Sequence, residues 1–140
     1  MDSLLPMGRD VLASQPFSRL LGAELDGFSA GNAELRVPVT DELKQQHGFV
    51  HGGVVSYAAD NALTYAGGSV LGTNVVTSEF KINYVRPAVG EYIVARASVV
   101  HSGRTQAVCR CEVYAVGDDG ENLCAVAQGT IARLGNAKTD

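Results

Sequence analysis

The chain's 140 residues make a single domain, 1–140, able to bury ~70% of the surface its unfolded form exposes, so neither disulfides nor metals are needed to hold it. With 46% hydrophobic and 19% charged residues it reads as globular rather than disordered. A net charge of −4 without any run of Lys or Arg argues against a nucleic-acid-binding stripe, and no apolar run reaches the ~20 residues that span a bilayer.

In chain order, MDSLLPMGRD carries Asp2 and only a short apolar run, unlike a signal or transit peptide. Residues 1–21 form an N-terminal helical segment, with a short helix over 9–21 that Pro16 interrupts and Gly22 follows. A strand over 22–29 turns at Ala30-Gly31 into a second over 32–39, where Ala33, Leu35, Val37 and Val39 share one face. Pro38 cannot donate to a ladder and marks an edge or a bulge. Residues 54–69 are apolar almost all round, the pattern of a buried helix, and Gly67-Gly68 can end it. Alternating strands follow over 75–86, 92–100, 106–116 and 123–134, and 135–140 reads as a disordered tail. The order predicts an α+β fold in which a largely antiparallel sheet curls around one central apolar helix. So little helix leaves the outer face of the sheet uncovered, which predicts oligomerisation. Cys109, Cys111 and Cys124 show no pairing pattern. They read as small core residues of a reducing compartment, so the protein is expected to be soluble and cytoplasmic.

The chemistry concentrates in QQHGFVHGGVVSYAAD, Gln45 to Asp60. Gly52 and Gly53 stand where loop becomes helix, an end with unpaired N–H groups and a positive dipole. Glycine lets a ligand oxygen approach, so the Gly52 N–H can act as an oxyanion donor. Asp60 lies among Ala58, Ala59, Ala62 and Leu63, where an unpaired carboxylate is costly; it reads as a general base or nucleophile, against a purely structural hydrogen bond. Along one helix, the eight residues between them measure about 12 Å. That is too far for both to act on one carbonyl: either they do not cooperate, or the carbonyl held at one helix's start meets Asp60 from a second chain, as two antiparallel helices across a two-fold axis would allow. Thr64, one turn after Asp60, either orients a water or bonds back to its own helix. The Gln45 amide could reach the same carbonyl or water. Phe49, Tyr57 and Tyr65 line an acyl pocket or belong to the core.

The run Gln45…His51-Gly52-Gly53…Asp60, followed by VTSEFKINYVRPAVG and HSGRT, resembles the hot-dog-fold acyl-CoA thioesterases, of the phenylacetate-degradation and 4-hydroxybenzoyl-CoA types. The likeness extends from about Gly22 to Leu134. It implies a hot-dog fold, Gly52 as oxyanion donor, Asp60 of the partner chain as base or nucleophile, and His51 and Gly53 supporting the substrate loop. Thr77 matches a strand hydroxyl that orients water in some relatives, leaving the choice between Thr64 and Thr77 open. His101, Ser102, Gly103, Arg104 and Thr105 match a segment lining the coenzyme A channel, with Arg104 and Arg86 facing its phosphates. The resemblance also implies a homodimer or a tetramer of two dimers. Many relatives carry Asn where Gln45 stands.

The resulting expectation is hydrolysis of an aryl, short or medium acyl-CoA to free acid and CoA. No cofactor is expected apart from the coenzyme A of the substrate, and no metal, nucleic-acid or membrane partner. His47 and His51 lack a third ligand at metal spacing. No GxSxG elbow, Walker motif or GxGxxG is present. Two alternatives share the fold: a hydratase or dehydratase acting on acyl thioesters, and a non-catalytic acyl-CoA binding module.

Overall fold

A computed structural model describes residues 4–135. From 136 onward, the tail expected over 135–140 lies outside the described residues, as do residues 1–3 of the N-terminal segment. The elements are α1 (Leu5–Ala13), α2 (Pro16–Leu21), β1 (Glu24–Ser29), β2 (Asn32–Pro38), a short 3-10 turn (Asp41–Leu43), α3 (Gly52–Leu71), β3 (Val75–Tyr84), β4 (Tyr92–Ser102), β5 (Gln106–Gly117) and β6 (Gly120–Arg133). Six strands form one antiparallel sheet in the order β1-β2-β4-β5-β6-β3. Because α3 and β3 intervene between β2 and β4 in sequence, the sheet closes around the helix, and α3 touches all six strands.

The α+β expectation holds, with physical corrections at the element ends. The N-terminal segment is two helices rather than one broken helix. Pro16 starts α2 at a position where its missing N–H is no loss, and Gly22 caps α2 with φ 71°. Pro38 is the last residue of β2. Pairing with β1 stops at Arg36, so Pro38 has a strand on one side only although β2 lies inside the sheet. The Gly67-Gly68 pair does not end α3, which runs on to Leu71 and is capped at Gly72, φ 102°. Gly67 has a packing role instead, since a Cβ there would lie 2.6 Å from the Cβ of Ile131 on β6. β4 extends past the expected end to Ser102, through a bulge between Val99 and His101, and β6 begins earlier, at Gly120.

The core lies between α3 and the concave face of the sheet. Ala58, Ala59, Ala62, Leu63 and Ala66 of α3 are fully buried against Leu35, Val37, Ile93, Ala95, Val113 and Ile131. Small side chains on the helix let the sheet approach closely on several sides. Cys109, Cys111 and Cys124 are buried free thiols, as the sequence pattern suggests. On the outer face, Arg96 reaches Glu34 at 2.9 Å and Glu121 at 2.6 Å, and it lies over the Tyr114 ring. β3 ends the sheet and is its most exposed strand, with Val76 43% and Tyr84 54% accessible. Among the described residues no helix is long and apolar enough to cross a membrane.

Candidate active site

The start of α3 is built by its preceding loop. Gln45 folds that loop on itself: its Oε1 accepts the N–H groups of His47 at 2.6 Å and Phe49 at 3.3 Å, and its backbone pairs with Phe49 and Gly48. Among the described residues no acceptor stands against the Gln45 amide nitrogen. His51 caps α3 in an extended conformation, φ −59° and ψ 137°, its Nδ1 accepting the Gly53 N–H at 2.8 Å. With Gly53 occupied and the Val54 N–H on the His51 carbonyl, the Gly52 N–H is left without an acceptor among the described residues. Tyr84, at the end of β3, donates its hydroxyl to the Gly52 carbonyl at 3.1 Å. A cavity of about 360 Å³ opens here, lined by Gln45, Phe49, Gly52, Val55, Tyr84 and Arg86 among others. Arg86 itself donates to Asn122 at 2.8 Å.

Asp60 lies two turns further along, half-buried, in a different cavity of about 390 Å³ with Gln15, Phe17, Tyr57, Asn61 and Thr64. The two cavities share no lining residue. The structure brings Thr64 and Thr77 together rather than choosing between them. Thr77 donates to Asp60 Oδ1 at 2.6 Å, and its oxygen lies 2.9 Å from Thr64 Oγ1. Thr64 also lies 2.8 Å from the Asp60 carbonyl, the back-bonding position. Each hydroxyl has one proton, and a carboxylate is the strongest acceptor present, so Thr77 serves Asp60 and Thr64 can serve Thr77. A bulge in β3 between Thr77 and Glu79 breaks the register there, the kind of irregularity that re-aims a side chain.

A second network holds the α2 side of this cavity. The Ser18 hydroxyl donates to Gln15 Oε1 at 2.6 Å, which leaves Tyr57 as the donor in the 2.6 Å Ser18–Tyr57 contact. Asn61 Nδ2 donates to the Tyr57 oxygen and to Gln15 Oε1, both at 3.1 Å. Burial pushes the Tyr57 phenol up, against the opposing effect of these hydrogen bonds. Gln15, Ser18 and Asn61 are not singled out by sequence pattern; the one signal is that Tyr57 and Asn61 stand four apart and so share a face of α3. Tyr57 borders the Asp60 cavity and Phe49 the Gly52 cavity, while the buried Tyr65 hydroxyl donates to the Gly8 carbonyl at 2.9 Å.

His101, Ser102, Gly103, Arg104 and Thr105 form the exposed β4–β5 hairpin and border neither cavity. The Thr105 carbonyl accepts the Arg133 N–H, and the Arg133 Nε donates to the Leu71 carbonyl at 3.0 Å, so the hairpin stands at the C-terminal end of α3. Gly52 and Arg86 stand at its N-terminal end. A 20-residue helix is about 30 Å long, so Arg86 and Arg104 of one chain lie at opposite ends of it.

Residues 47–121 match the sequence family described as the thioesterase superfamily. The crystal structure of a thioesterase family protein from Silicibacter pomeroyi superposes with a TM-score of 0.85 at 41% identity, covering 89% of this chain and 93% of that one. The acyl-coenzyme A thioesterase PaaI of Escherichia coli is 28% identical over 87% of this chain and 85% of its own length. The 1,4-dihydroxy-2-naphthoyl-CoA hydrolase of Listeria monocytogenes is 26% identical over 80% of this chain and 90% of its own. The six-stranded antiparallel sheet wrapped around α3 is the hot-dog layout that the sequence resemblance implies.

Proposed function

The chain belongs to the thioesterase superfamily, and from that premise we propose that it hydrolyses an acyl-CoA to the free acid and coenzyme A at sites shared by two chains. The two similar proteins named above, from E. coli and L. monocytogenes, are both named for coenzyme A thioesters, which supports the choice of thiol. One observation carries the reading. A helix-terminal N–H without an acceptor and a hydroxyl-bound carboxylate lie on the same helix, in cavities that share no side chain, about 12 Å apart by helix rise. Neither half completes a hydrolytic site alone. Two copies with antiparallel α3 helices complete two.

In such a pair the thioester carbonyl oxygen accepts the Gly52 N–H of one protomer. Asp60 of the partner chain takes a proton from water as the water oxygen bonds to the carbonyl carbon, and the oxyanion stays on Gly52. When the oxyanion collapses, the C–S bond breaks and the thiolate of coenzyme A leaves, taking up the proton. Direct attack by the carboxylate would give a mixed anhydride that water then cleaves; a first turnover in ¹⁸O-water that yields unlabelled acid and leaves ¹⁸O on Asp60 is the signature of that route with water opening the anhydride at the Asp60 carbonyl, whereas attack by water on the thioester puts one ¹⁸O in the acid and none on Asp60. The antiparallel pairing also carries the Arg104 hairpin of one chain toward the Gly52 end of the other, beside Arg86, where both guanidinium groups can meet the phosphates of one coenzyme A. The buried free thiols fit a reducing compartment, and we place the protein in the cytoplasm.

The test is thiol release across a panel of acyl-CoAs. Asp60→Asn should lower kcat by about 10²- to 10⁴-fold without loss of folding. Undiminished turnover in that variant would end the mechanism.

A further inference from the structure

The acyl half of the substrate also needs a place, and the structure has one that the chemistry above does not use. A cavity of about 340 Å³ lies between α1 and the C-terminal half of α3, walled by Met7, Val11, Phe28 and Val75 among others. It meets the Asp60 cavity at three side chains common to both, Gln15, Asn61 and Thr64. We propose that this cavity takes the acyl group, and that the acyl group is apolar and has about ten carbons; the proposal rests on the acyl-CoA reading above.

Three features carry it. The cavity adjoins the carboxylate across the Gln15–Asn61–Thr64 collar, so a thioester held at Asp60 can extend into it without leaving the protein. Gln15 and Asn61 are hydrogen-bonded to each other, and to Ser18 and Tyr57, so a hydrocarbon passing the collar leaves their bonds intact. Met7 is 41% and Val11 36% exposed although both line the cavity. These are apolar surfaces that a hydrocarbon ligand would cover.

The α1 wall is also fixed in place. Gly8 lets α1 dock so closely on β1 that a Cβ there would lie 2.5 Å from the Phe28 ring, and Tyr65 holds the Gly8 carbonyl. Phe28 in turn packs edge-on against Tyr65 with ring centres 5.1 Å apart. These contacts pin α1 at Gly8, on one wall of the cavity. A volume of about 340 Å³ lies at the lower end of the ~300–1,000 Å³ of small-ligand pockets, the size of an acyl group on the order of ten carbons.

The experiment measures kcat/KM for straight-chain acyl-CoAs from acetyl to hexadecanoyl, with naphthoyl-CoA beside them, in the wild type, Val11→Trp and Met7→Trp. Both substituted positions are partly exposed, so either variant should fold. The expected result is a rise of about fourfold per methylene up to roughly ten carbons and a plateau beyond. In either Trp variant the decanoyl-to-butanoyl ratio should fall at least tenfold. Faster turnover of naphthoyl than of decanoyl would support a ring as occupant, and the reverse a chain. A maximum at acetyl, an unbroken rise to hexadecanoyl, or a ratio unmoved by both Trp variants would overturn the proposal.

Calorimetry with decanoyl and butanoyl thioether analogues of coenzyme A separates this proposal from the hydrolase reading. If no acyl-CoA is cleaved, yet the decanoyl analogue binds more tightly and loses that advantage in Val11→Trp, the acyl pocket stands and the hydrolase reading falls. Equal binding of the two analogues would remove the pocket.

Discussion

At the scale of single residues, the site depends on where a few protons point. Thr77 gives its only proton to Asp60, whereas Thr64 acts on Asp60 through Thr77 or its backbone. Thr77→Val should therefore lower kcat by about tenfold to a hundredfold, with Thr64→Val costing distinctly less, as steady-state kinetics on one acyl-CoA would measure. Gly52 allows a cleaner deletion. It occupies the first helical position, where proline is tolerated, and His51 before it already has the extended backbone that a following proline requires. Gly52→Pro removes the N–H and sets the ring Cδ in its place: kcat should fall by at least about 10²- to 10³-fold with little change in melting temperature. Gly52 and Asp60 are legible in sequence because each breaks a local rule, glycine at a helix start and a carboxylate in an apolar helix. Thr77 breaks none. It sits in an ordinary alternating strand, and the bulge that aims it leaves no mark on the residue pattern.

At the scale of elements, α3 sets the limits. Its apolar residues on almost every side announce a buried helix, but the Gly67-Gly68 pair suggests an end about four-fifths of the way along. The pair reads as a stop because glycine lowers helix propensity. The helix continues because the close contact of Gly67 with Ile131 outweighs that loss. Gly67→Ala should thus destabilise the protein by about 1–3 kcal/mol in urea unfolding, despite alanine's better propensity. The thiols of β5 and β6 make a second element-scale prediction. Burial pushes Cys109 and Cys124 up to about 11, and Cys111 to about 12, from an ordinary value near 9. Since the folded state keeps these groups neutral, their contribution to stability is full below pH 9 and is lost as the pH rises through 11 to 12. Unfolding midpoints measured from pH 8 to 11 should fall at the alkaline end, less so in a Cys111→Ala variant. At pH 8 a thiol reagent should label all three only on unfolding. Strand periodicity made their burial legible. It could not reveal the Gln15–Ser18–Tyr57–Asn61 network, which joins residues up to 46 positions apart.

At the scale of the whole molecule, the proposal that two chains share each site rests on the sheet order and on the offset along α3. Helix rise makes the split between Gly52 and Asp60 readable before any coordinates are known. The crossover that closes the sheet, and with it the placement of β3 at an edge beside Asp60, comes from pairing between distant segments that periodicity does not encode. The split can be tested by mixing. Gly52→Pro and Asp60→Asn homodimers should each be nearly inactive, but a mixture refolded at equal amounts should recover about a quarter of wild-type activity. Half the dimers are then mixed, and each mixed dimer has one intact site. Recovery near zero would place Gly52 and Asp60 in the same chain's site.

The offset of eight residues on one rigid helix also bears on inheritance. If two chains share each site as proposed, a chain damaged at Gly52 alone, or at Asp60 alone, leaves one working site whenever it pairs with a normal chain, whereas a chain damaged at both positions disables both sites of every mixed dimer. On that reading the same two lesions complement each other when they lie in different copies of the chain and are poisonous when they lie in one, a cis–trans asymmetry set by the pitch of α3.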